Sequence, residues 1–234
     1  MAKGNSNICY FILGIIGLFF IVLGFYAFFI QAKRTLQETV SISHLPESNM
    51  QTLVNTLPGT TVIFTGILEE NNQAADIGGL IIYIKEIWSI SYNDSEGSEG
   101  WEGSWKRLDV FVPVNSIAIQ GGSVLITKGP NLTIDQTLHE FKIDVPRKGR
   151  EVNGIKEGSL RHRGFKSGDQ ITVVGIKDSQ VIIAERIFGG NRADLERYLT
   201  YMVSGLRTVG IIFCLVGVAL IGTAAFFIYH LRQA

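Results

Sequence analysis

Cysteine is nearly absent from this sequence of 234 residues. Its two cysteines, Cys9 and Cys214, fall within the long apolar stretches near the ends. Residues 31–208 between those stretches can therefore form no disulfide and no thiolate metal site, and thiol catalysis there is excluded. The redox compartment stays open, because a domain without cysteine folds on either side of a membrane.

Asp, Glu, Lys and Arg are missing from two stretches, residues 8–30 and 209–229. A helix of about 20 apolar residues crosses the roughly 30 Å hydrocarbon core of a bilayer. Both stretches therefore predict transmembrane helices. The first has no small-residue cleavage site and is longer than a signal-peptide core, which predicts an uncleaved anchor.

The intervening segment, residues 31–208, holds 19 basic and 21 acidic residues, a net charge of −2. This charge argues against nucleic acid as an electrostatic partner. The length suits one domain or two small lobes with a real core. Composition excludes a disordered tail, a collagen-like chain, a polytopic transporter and a small disulfide scaffold.

Short β-branched and apolar runs predict a β-rich domain over residues 60–190. In residues 80–92, strict alternation places Glu86 and Trp88 on one strand face with isoleucines. The candidate strands are residues 60–68, 80–92, 105–114, 123–127, 138–145, 170–176 and 180–187. The predicted fold class is a membrane protein with two transmembrane α-helices flanking an all-β soluble domain, either β-sandwich or barrel-like.

The remaining segments complete the domain plan. Short tails are expected at residues 1–7 and 230–234, and a stalk with one or two short helices over residues 31–59. Asn191 has the position of an N-cap, and a helix over residues 191–208 is expected to continue unbroken into the second span. Its apolar stripe is predicted to be Leu195, Leu199, Met202 and Leu206.

Catalytic motifs are missing. The four histidines lie in no HExxH pattern, and the chain has no GxSxG elbow, no phosphate-binding P-loop and no GxGxxG fingerprint. We therefore predict no catalytic residue, no cofactor and no metal. Asp94, Glu96, Glu99 and Glu102 could form a calcium loop, but without DxDxDG spacing a solvated turn is the better interpretation.

Two tryptophans and a basic segment are the candidate interaction residues. The tryptophans could anchor strands in the core or form an exposed tip that docks on lipid or on a partner. The basic side chains could meet anionic headgroups or an acidic partner face, or could merely solvate a connecting loop. The candidates are Trp101, Trp105, Arg147, Lys148, Arg150, Arg161, Arg163 and Lys166.

Small residues recur at intervals of seven in both apolar stretches. This spacing allows two helices to approach closely, and it predicts that the two spans pack against each other. The residues are Gly17, Gly24, Gly210, Gly217 and Ala224.

The plan of two membrane helices around a β-rich domain resembles the GIDE-domain family. The similar stretches are residues 154–157 (GIKE), 168–175 (GDQITVVG), 181–183 (VII) with Gly189, 85–88 (KEIW), 108–112 (LDVFV) and 117–125. The family includes ubiquitin-protein ligases of mitochondrial and chloroplast outer membranes, and also prokaryotic relatives. The resemblance implies a prokaryotic protein of a plasma or thylakoid membrane, as in cyanobacteria.

In those ligases a zinc-binding RING domain follows the second helix, whereas here only residues 230–234 follow, too few for such a site. We therefore predict a non-catalytic membrane-anchored interaction or scaffold module, an accessory subunit of a larger membrane complex. The expected partners are membrane lipid and other membrane protein subunits, with a homo-oligomer possible and no nucleic acid. The alternatives are a ubiquitin-ligase-type protein that has lost its RING domain, and a sensor of a lipid or small molecule.

Two spans around one folded segment predict both termini on the same side of the membrane. The domain side of the spans carries more positive charge than the tails, so the positive-inside rule favours a cytoplasmic domain. The family resemblance implies the intermembrane space instead, and the sequence leaves the side open.

Overall fold

The computed structural model describes residues 3–70, 78–94, 100–143 and 149–233. The chain divides into two compact units. The helical unit is Met1–His44 with Glu196–Ala234, and the β unit is Leu45–Leu195. The β unit thus begins before residue 60, where the predicted β domain began, and takes in part of the predicted stalk.

The N-terminal part of the helical unit is continuously helical but changes its hydrogen-bond pattern once. Helix α1 (Lys3–Phe25) passes into a π-helical segment (Tyr26–Gln31) and then into α2 (Ala32–His44). The wider turns are evident where the Ala32 N–H donates to the carbonyl of Ala27, five residues earlier. Within them the Gln31 side-chain amide donates to the Tyr26 hydroxyl over 2.7 Å.

Helix α4 (Arg192–Gln233) runs without a break for 42 residues. Asn191 caps it, since its Oδ1 accepts a hydrogen bond from the Asp194 N–H at 3.0 Å. Leu195, Leu199 and Val203 are buried. Val203 lies four residues after Leu199 and so falls on the same side of the helix, which turns about 100° per residue. Met202, which the sequence placed in this stripe, is rotated away from that side and is 45% exposed.

Two helical stretches are long and apolar enough to cross a membrane, Tyr10–His44 and Arg192–His230. Only 11% of the apolar window in each is buried inside the protein, whereas the core helix of a soluble domain is mostly buried. The length, the hydropathy and the exposed apolar surface are therefore compatible with membrane embedding.

The described residues of the β unit form one short helix, α3 (Met50–Asn55), and eleven strands. The strands are β1 (Thr61–Leu68), β2 (Leu80–Asn93), β3 (Gly100–Phe111), β4 (Asn115–Ile119), β5 (Gly122–Asp135), β6 (His139–Ile143), β7 (Glu151–Val152), β8 (Ile155–Lys156), β9 (Leu160–Lys166), β10 (Gln170–Asp178) and β11 (Val181–Gly189).

Five of these strands close into a barrel in the order β1-β10-β11-β5-β4. All neighbouring pairs are antiparallel except β11 with β5, which is parallel. This arrangement is a five-stranded Greek-key barrel of the OB-fold type. Of the two architectures predicted, the structure therefore shows the barrel.

The other large element is an antiparallel sheet with the order β3-β2-β9-β6, which we call the inserted sheet. Its strands come from two insertions into the barrel. Strands β2 and β3 lie between β1 and β4, and strands β6 and β9 lie between β5 and β10. A small β7–β8 hairpin belongs to the second insertion.

The core is one cluster shared by the barrel and the inserted sheet. Phe64, Ile126 and Ile171 contribute to it from the barrel, and Ile82 and Phe165 from the inserted sheet. Helix α3 adds Leu53 to the same cluster. The shared core fixes the inserted sheet on the barrel, so its remaining surface has a defined position.

Candidate interaction surface

One face of the inserted sheet carries aromatic and arginine side chains side by side. Side chains of directly paired residues in antiparallel strands lie on the same face. Register pairs Trp88 with Trp105, Tyr92 with Trp101, and Glu86 with both Arg161 and Arg107. We call this surface the arginine–tryptophan face; its members are Glu86, Trp88, Tyr92, Trp101, Trp105, Arg107, Arg150, Arg161 and Arg163.

Glu86 is the polar centre of this face, although it is only 6% exposed. The Arg161 Nε donates to its Oε2 at 2.8 Å. Arg163 donates from Nε to Oε2 at 2.9 Å and from Nη2 to Oε1 at 3.1 Å, a bidentate pair. A buried carboxylate is tolerated here because two guanidinium groups satisfy it.

The electrostatics of Glu86 follow from these contacts. Burial raises the pKa of the Glu86 carboxyl, but the hydrogen bonds and charges of Arg163 and Arg161 outweigh burial and hold the pKa below its ordinary value of 4.5. The same hydrogen bond raises the pKa of Arg163. The carboxylate is therefore ionised at neutral pH and fixes both arginines.

Arginine also stacks on tryptophan at two places on this face. The Arg150 guanidinium carbon lies 3.2 Å from the centroid of the Trp101 ring, and that of Arg161 lies 4.4 Å from the Trp105 ring. Trp105 meets Trp88 edge-on, with centroids 5.2 Å apart. These cation–π and aromatic contacts hold the side chains in place before anything binds.

The structure thus brings together five residues singled out from the sequence: Trp101, Trp105, Arg150, Arg161 and Arg163. Lys166 is not among them; it lies at the end of β9, where its N–H donates to Asp169. Arg147 and Lys148 lie outside the described residues, as do Glu96 and Glu99 of the acidic loop.

The basic stretch was expected to be either an interaction segment or a connecting loop. Arg161 to Lys166 instead belong to β9, a central strand between β2 and β6. For these residues the loop interpretation was wrong, because His162 is buried on one face of the strand and Phe165 on the other, and Glu86 satisfies the two arginines.

Sequence reasoning missed Glu86, Trp88 and Arg107 as parts of the surface. A signal for Glu86 was present, since it is the one charged residue on an otherwise apolar strand face. A carboxylate buried at such a position requires a cationic partner, and the basic stretch that contains Arg161 and Arg163 could supply one. Trp88 and Arg107 gave no comparable signal.

The predicted helix-packing residues lie against one another in the helical unit. A Cβ added to Gly17 would lie 2.8 Å from the Gly217 carbonyl oxygen, and one added to Gly24 would lie 2.6 Å from that of Gly210. Ala224 is also buried. Since 17 faces 217 and 24 faces 210, α1 and α4 are antiparallel and touch backbone to backbone.

The other polar side chains of the described residues do not form a metal site. No group of three or more His, Cys, Asp or Glu that could hold a metal ion occurs among them. An open groove of about 550 Å³ lies beside the face. It is lined by Ile87, Trp88, Ser89, Lys106, Arg107, Leu108, Gly149, Glu157 and Gly158.

No family model matches the chain, and the comparisons with curated proteins and with solved structures gave no match either. The function is therefore argued from the surface described above, since a barrel topology alone does not define an activity.

Proposed function

We propose that this chain is a non-catalytic, membrane-anchored interaction module, an accessory subunit of a larger membrane protein complex. The observation that carries the proposal is the arginine–tryptophan face. Protein–protein hot spots are enriched in Trp, Tyr and Arg, and this face combines all three in a held arrangement. Trp101 and Tyr92 are about half exposed, so part of the aromatic surface is open to a partner.

Membrane anchoring by the two apolar helices is part of the same proposal. Their close glycine contacts support an antiparallel pair of spans, with both termini on one side and the β unit on the other. Positive charge beside the spans favours a cytoplasmic β unit. Protease treatment of sealed vesicles tests the side, because digestion of the β unit only after lysis would contradict the cytoplasmic placement.

Purification in mild detergent, followed by mass spectrometry of the co-eluting chains, tests the partner. We expect other membrane subunits in fixed stoichiometry. Trp101→Ala should weaken co-purification by about tenfold, because a buried aromatic anchor contributes more than 1 kcal/mol to an interface. A protein that stays alone in several detergents contradicts the proposal, and stoichiometric zinc would favour the ubiquitin-ligase-type alternative.

The chain offers a matched control for Trp101→Ala. Phe141 has nearly the same exposure, 44% against 43%, but register with His162 places it on the opposite face of the inserted sheet. Phe141→Ala should leave co-purification unchanged. Equal losses in both variants would mean that exposed aromatic area, rather than the arginine–tryptophan face, holds the partner.

A second candidate function, a sensor of a lipid or small molecule, is favoured by the groove at Lys106 and Leu108. Its volume lies within the range of small-molecule sites, and it combines apolar walls with charged side chains. Native mass spectrometry of the gently purified protein tests this candidate, which requires a bound small molecule that Leu108→Trp, by filling the groove, displaces.

A further inference from the structure

Two arginines on the arginine–tryptophan face have no carboxylate among the described residues. Arg107 is exposed and makes no hydrogen bond or ion pair with them, and Arg150 contacts the Trp101 ring. Each guanidinium has five N–H donors in a planar fork suited to carboxylate or phosphate. The internal Glu86 shows how the same face binds a carboxylate between two arginines.

The charges of this face do not balance. Lys142 and Glu140, on the edge strand β6, pair with Arg161 and Arg163 and so share the face. With them, the described residues place five cations and two carboxylates on the face; Glu157, which lines the adjacent groove with Arg107, lowers the excess to two positive charges. The intervening segment as a whole has a net charge of −2. The excess is thus local, and it favours an anionic ligand at this face.

The backbone of β3 indicates what kind of anionic ligand fits. Among the described residues β3 pairs only with β2, so the N–H and C=O groups along its outer edge can accept another strand. Trp101, Trp105 and Arg107 project from this same strand. An extended peptide uses both the edge and the side chains, whereas a lipid headgroup uses only the charge.

We propose that an extended acidic segment of a partner protein binds along β3, with its carboxylates on Arg107 and Arg150 and its backbone paired to the strand edge. The inference rests on the proposed function and gives the chemistry of the partner. Alternating acidic and apolar residues suit the site best, because a strand directs alternate side chains to opposite faces.

A titration tests this directly. The full chain is placed in nanodiscs of neutral phosphatidylcholine and titrated with a peptide of alternating glutamate and valine, with tryptophan fluorescence as the readout. All three tryptophans of the chain lie on this face, so the change in fluorescence relative to empty nanodiscs reports on it. We expect saturable binding that weakens as salt is added, and at least tenfold weaker binding of the peptide with glutamine in place of glutamate.

Variants locate the binding. The double variant R107E/R150E should weaken binding of the glutamate peptide by about tenfold or more, because each exposed ion pair contributes up to about fivefold and reversal adds repulsion. K85E carries the same charge reversal on β2, where Lys85 pairs with Asp109 and with His162 and points to the opposite face. It should change the affinity by less than about twofold. Circular dichroism checks that each variant is folded.

Three results would overturn the inference. Equal binding of the glutamine peptide would show that charge is not recognised, and an equal effect of K85E would show that the face is not the site. The third result comes from nanodiscs that contain phosphatidylserine, measured without peptide. If the fluorescence of the wild-type chain changes in them and that of R107E/R150E does not, the arginines bind lipid headgroups.

Failure here is distinguishable from failure of the proposed function. If partner subunits co-purify with the wild-type chain and R107E/R150E retains them, the acidic segment is wrong and the interaction module stands. If no subunit co-purifies with the wild-type chain, the proposed function itself is wrong.

Discussion

The barrel and the inserted sheet share one core but differ in how their strands are paired at the edges. Every barrel strand has two neighbours, and the pairs Ile67–Ala118 and Leu68–Ile117 close the barrel between β1 and β4. The inserted sheet ends in β3 and β6, each with one neighbour among the described residues. An open edge is a place where another chain can pair, and proteins normally protect it. The surface that we propose for recognition thus lies on the element with open strand edges.

The same contrast appears in the buried ionisable groups. Among the described residues, the two that are buried are Glu86 and His162, and both lie on the inserted sheet. The buried polar side chains on described barrel strands, Asn115 and Thr172, are uncharged and donate to the Pro113 and Gly190 carbonyls. We therefore expect apolar packing to dominate the stability of the barrel and pH to act on the sheet.

The largest effect is expected from removing an aromatic ring in the barrel. Phe64→Ala should lower the free energy of unfolding by about 3–5 kcal/mol, because Phe64 is fully buried and its loss leaves a cavity. Phe111→Ala on the inserted sheet should cost less than about 1 kcal/mol, since Phe111 is 37% exposed. Urea unfolding followed by circular dichroism measures both, and equal losses would contradict the contrast.

The next effect concerns the charge centre of the sheet. Glu86→Gln should cost about 2–3 kcal/mol at neutral pH, because two guanidinium groups lose a charged acceptor. Since the pKa of Glu86 is lowered, its contribution is complete above 4.5 and is lost as the pH falls through the folded-state value.

Urea unfolding over a series of acidic pH values checks this expectation. The difference in stability between wild type and Glu86→Gln should shrink steadily in acid. A difference that stays constant with pH would mean that shape, rather than charge, accounts for the effect of Glu86.

The same change, glycine to alanine, can be made once in the barrel and once in the inserted sheet to compare them directly. A Cβ at Gly66 would collide with the Ala118 carbonyl oxygen inside the closed barrel, where backbone must move. A Cβ at Gly103 would collide with the ring of Trp88, a buried side chain that must shift, which costs less than moving backbone. We expect Gly66→Ala to cost about 3 kcal/mol and Gly103→Ala about 1 kcal/mol.

Thermal unfolding ranks these two variants, and tryptophan fluorescence identifies the moving ring. Gly103→Ala should shift the emission of the native protein, whereas Gly66→Ala should not. The reverse order of stabilities would show that the barrel accommodates change better than the sheet.

The smallest effect is a pH dependence from His162. Burial, and then the charge of Lys85, lower the pKa of this histidine below its ordinary 6.5. The folded state therefore resists a proton that the unfolded state accepts, so stability falls as the pH drops below 6.5 towards the folded-state value. His162→Phe should remove this loss, as measured by the midpoint of thermal unfolding at neutral and mildly acidic pH. If the midpoint has the same pH dependence in wild type and in His162→Phe, another group causes that dependence.

Local pattern predicted much of the fold. The alternation in residues 80–92 gave both faces of β2 correctly, because a period of two follows from strand geometry. The capping residue Asn191 and the unbroken spacing after it gave helix α4. The interval of seven residues between glycines likewise identified positions that contact each other in the helical unit.

Long-range pairing limited the rest. Strand β5 was expected to end at residue 127, but it continues to Asp135, with a register shift between Lys128 and Thr133 that absorbs Gly129 and Pro130. Those two residues look like a turn in the sequence, and only the parallel partner β11 shows that they form a bulge. The candidate strands did not include β4, β7, β8 or β9, and Arg161 meets its carboxylate 75 positions away. No local pattern contains that contact.

The π-helical segment Tyr26–Gln31 alters the phase of the N-terminal helix. Gly17 and Gly24 are buried seven residues apart, but the next buried small residue is Ala32, eight residues further on. In an unbroken α-helix the next position of that series would fall on Gln31. One extra residue in the turn rotates the following residues by about 100° about the helix axis. The π-helical segment therefore puts Ala32 on the buried side of the helix, and Gln31 is left to bond the Tyr26 hydroxyl.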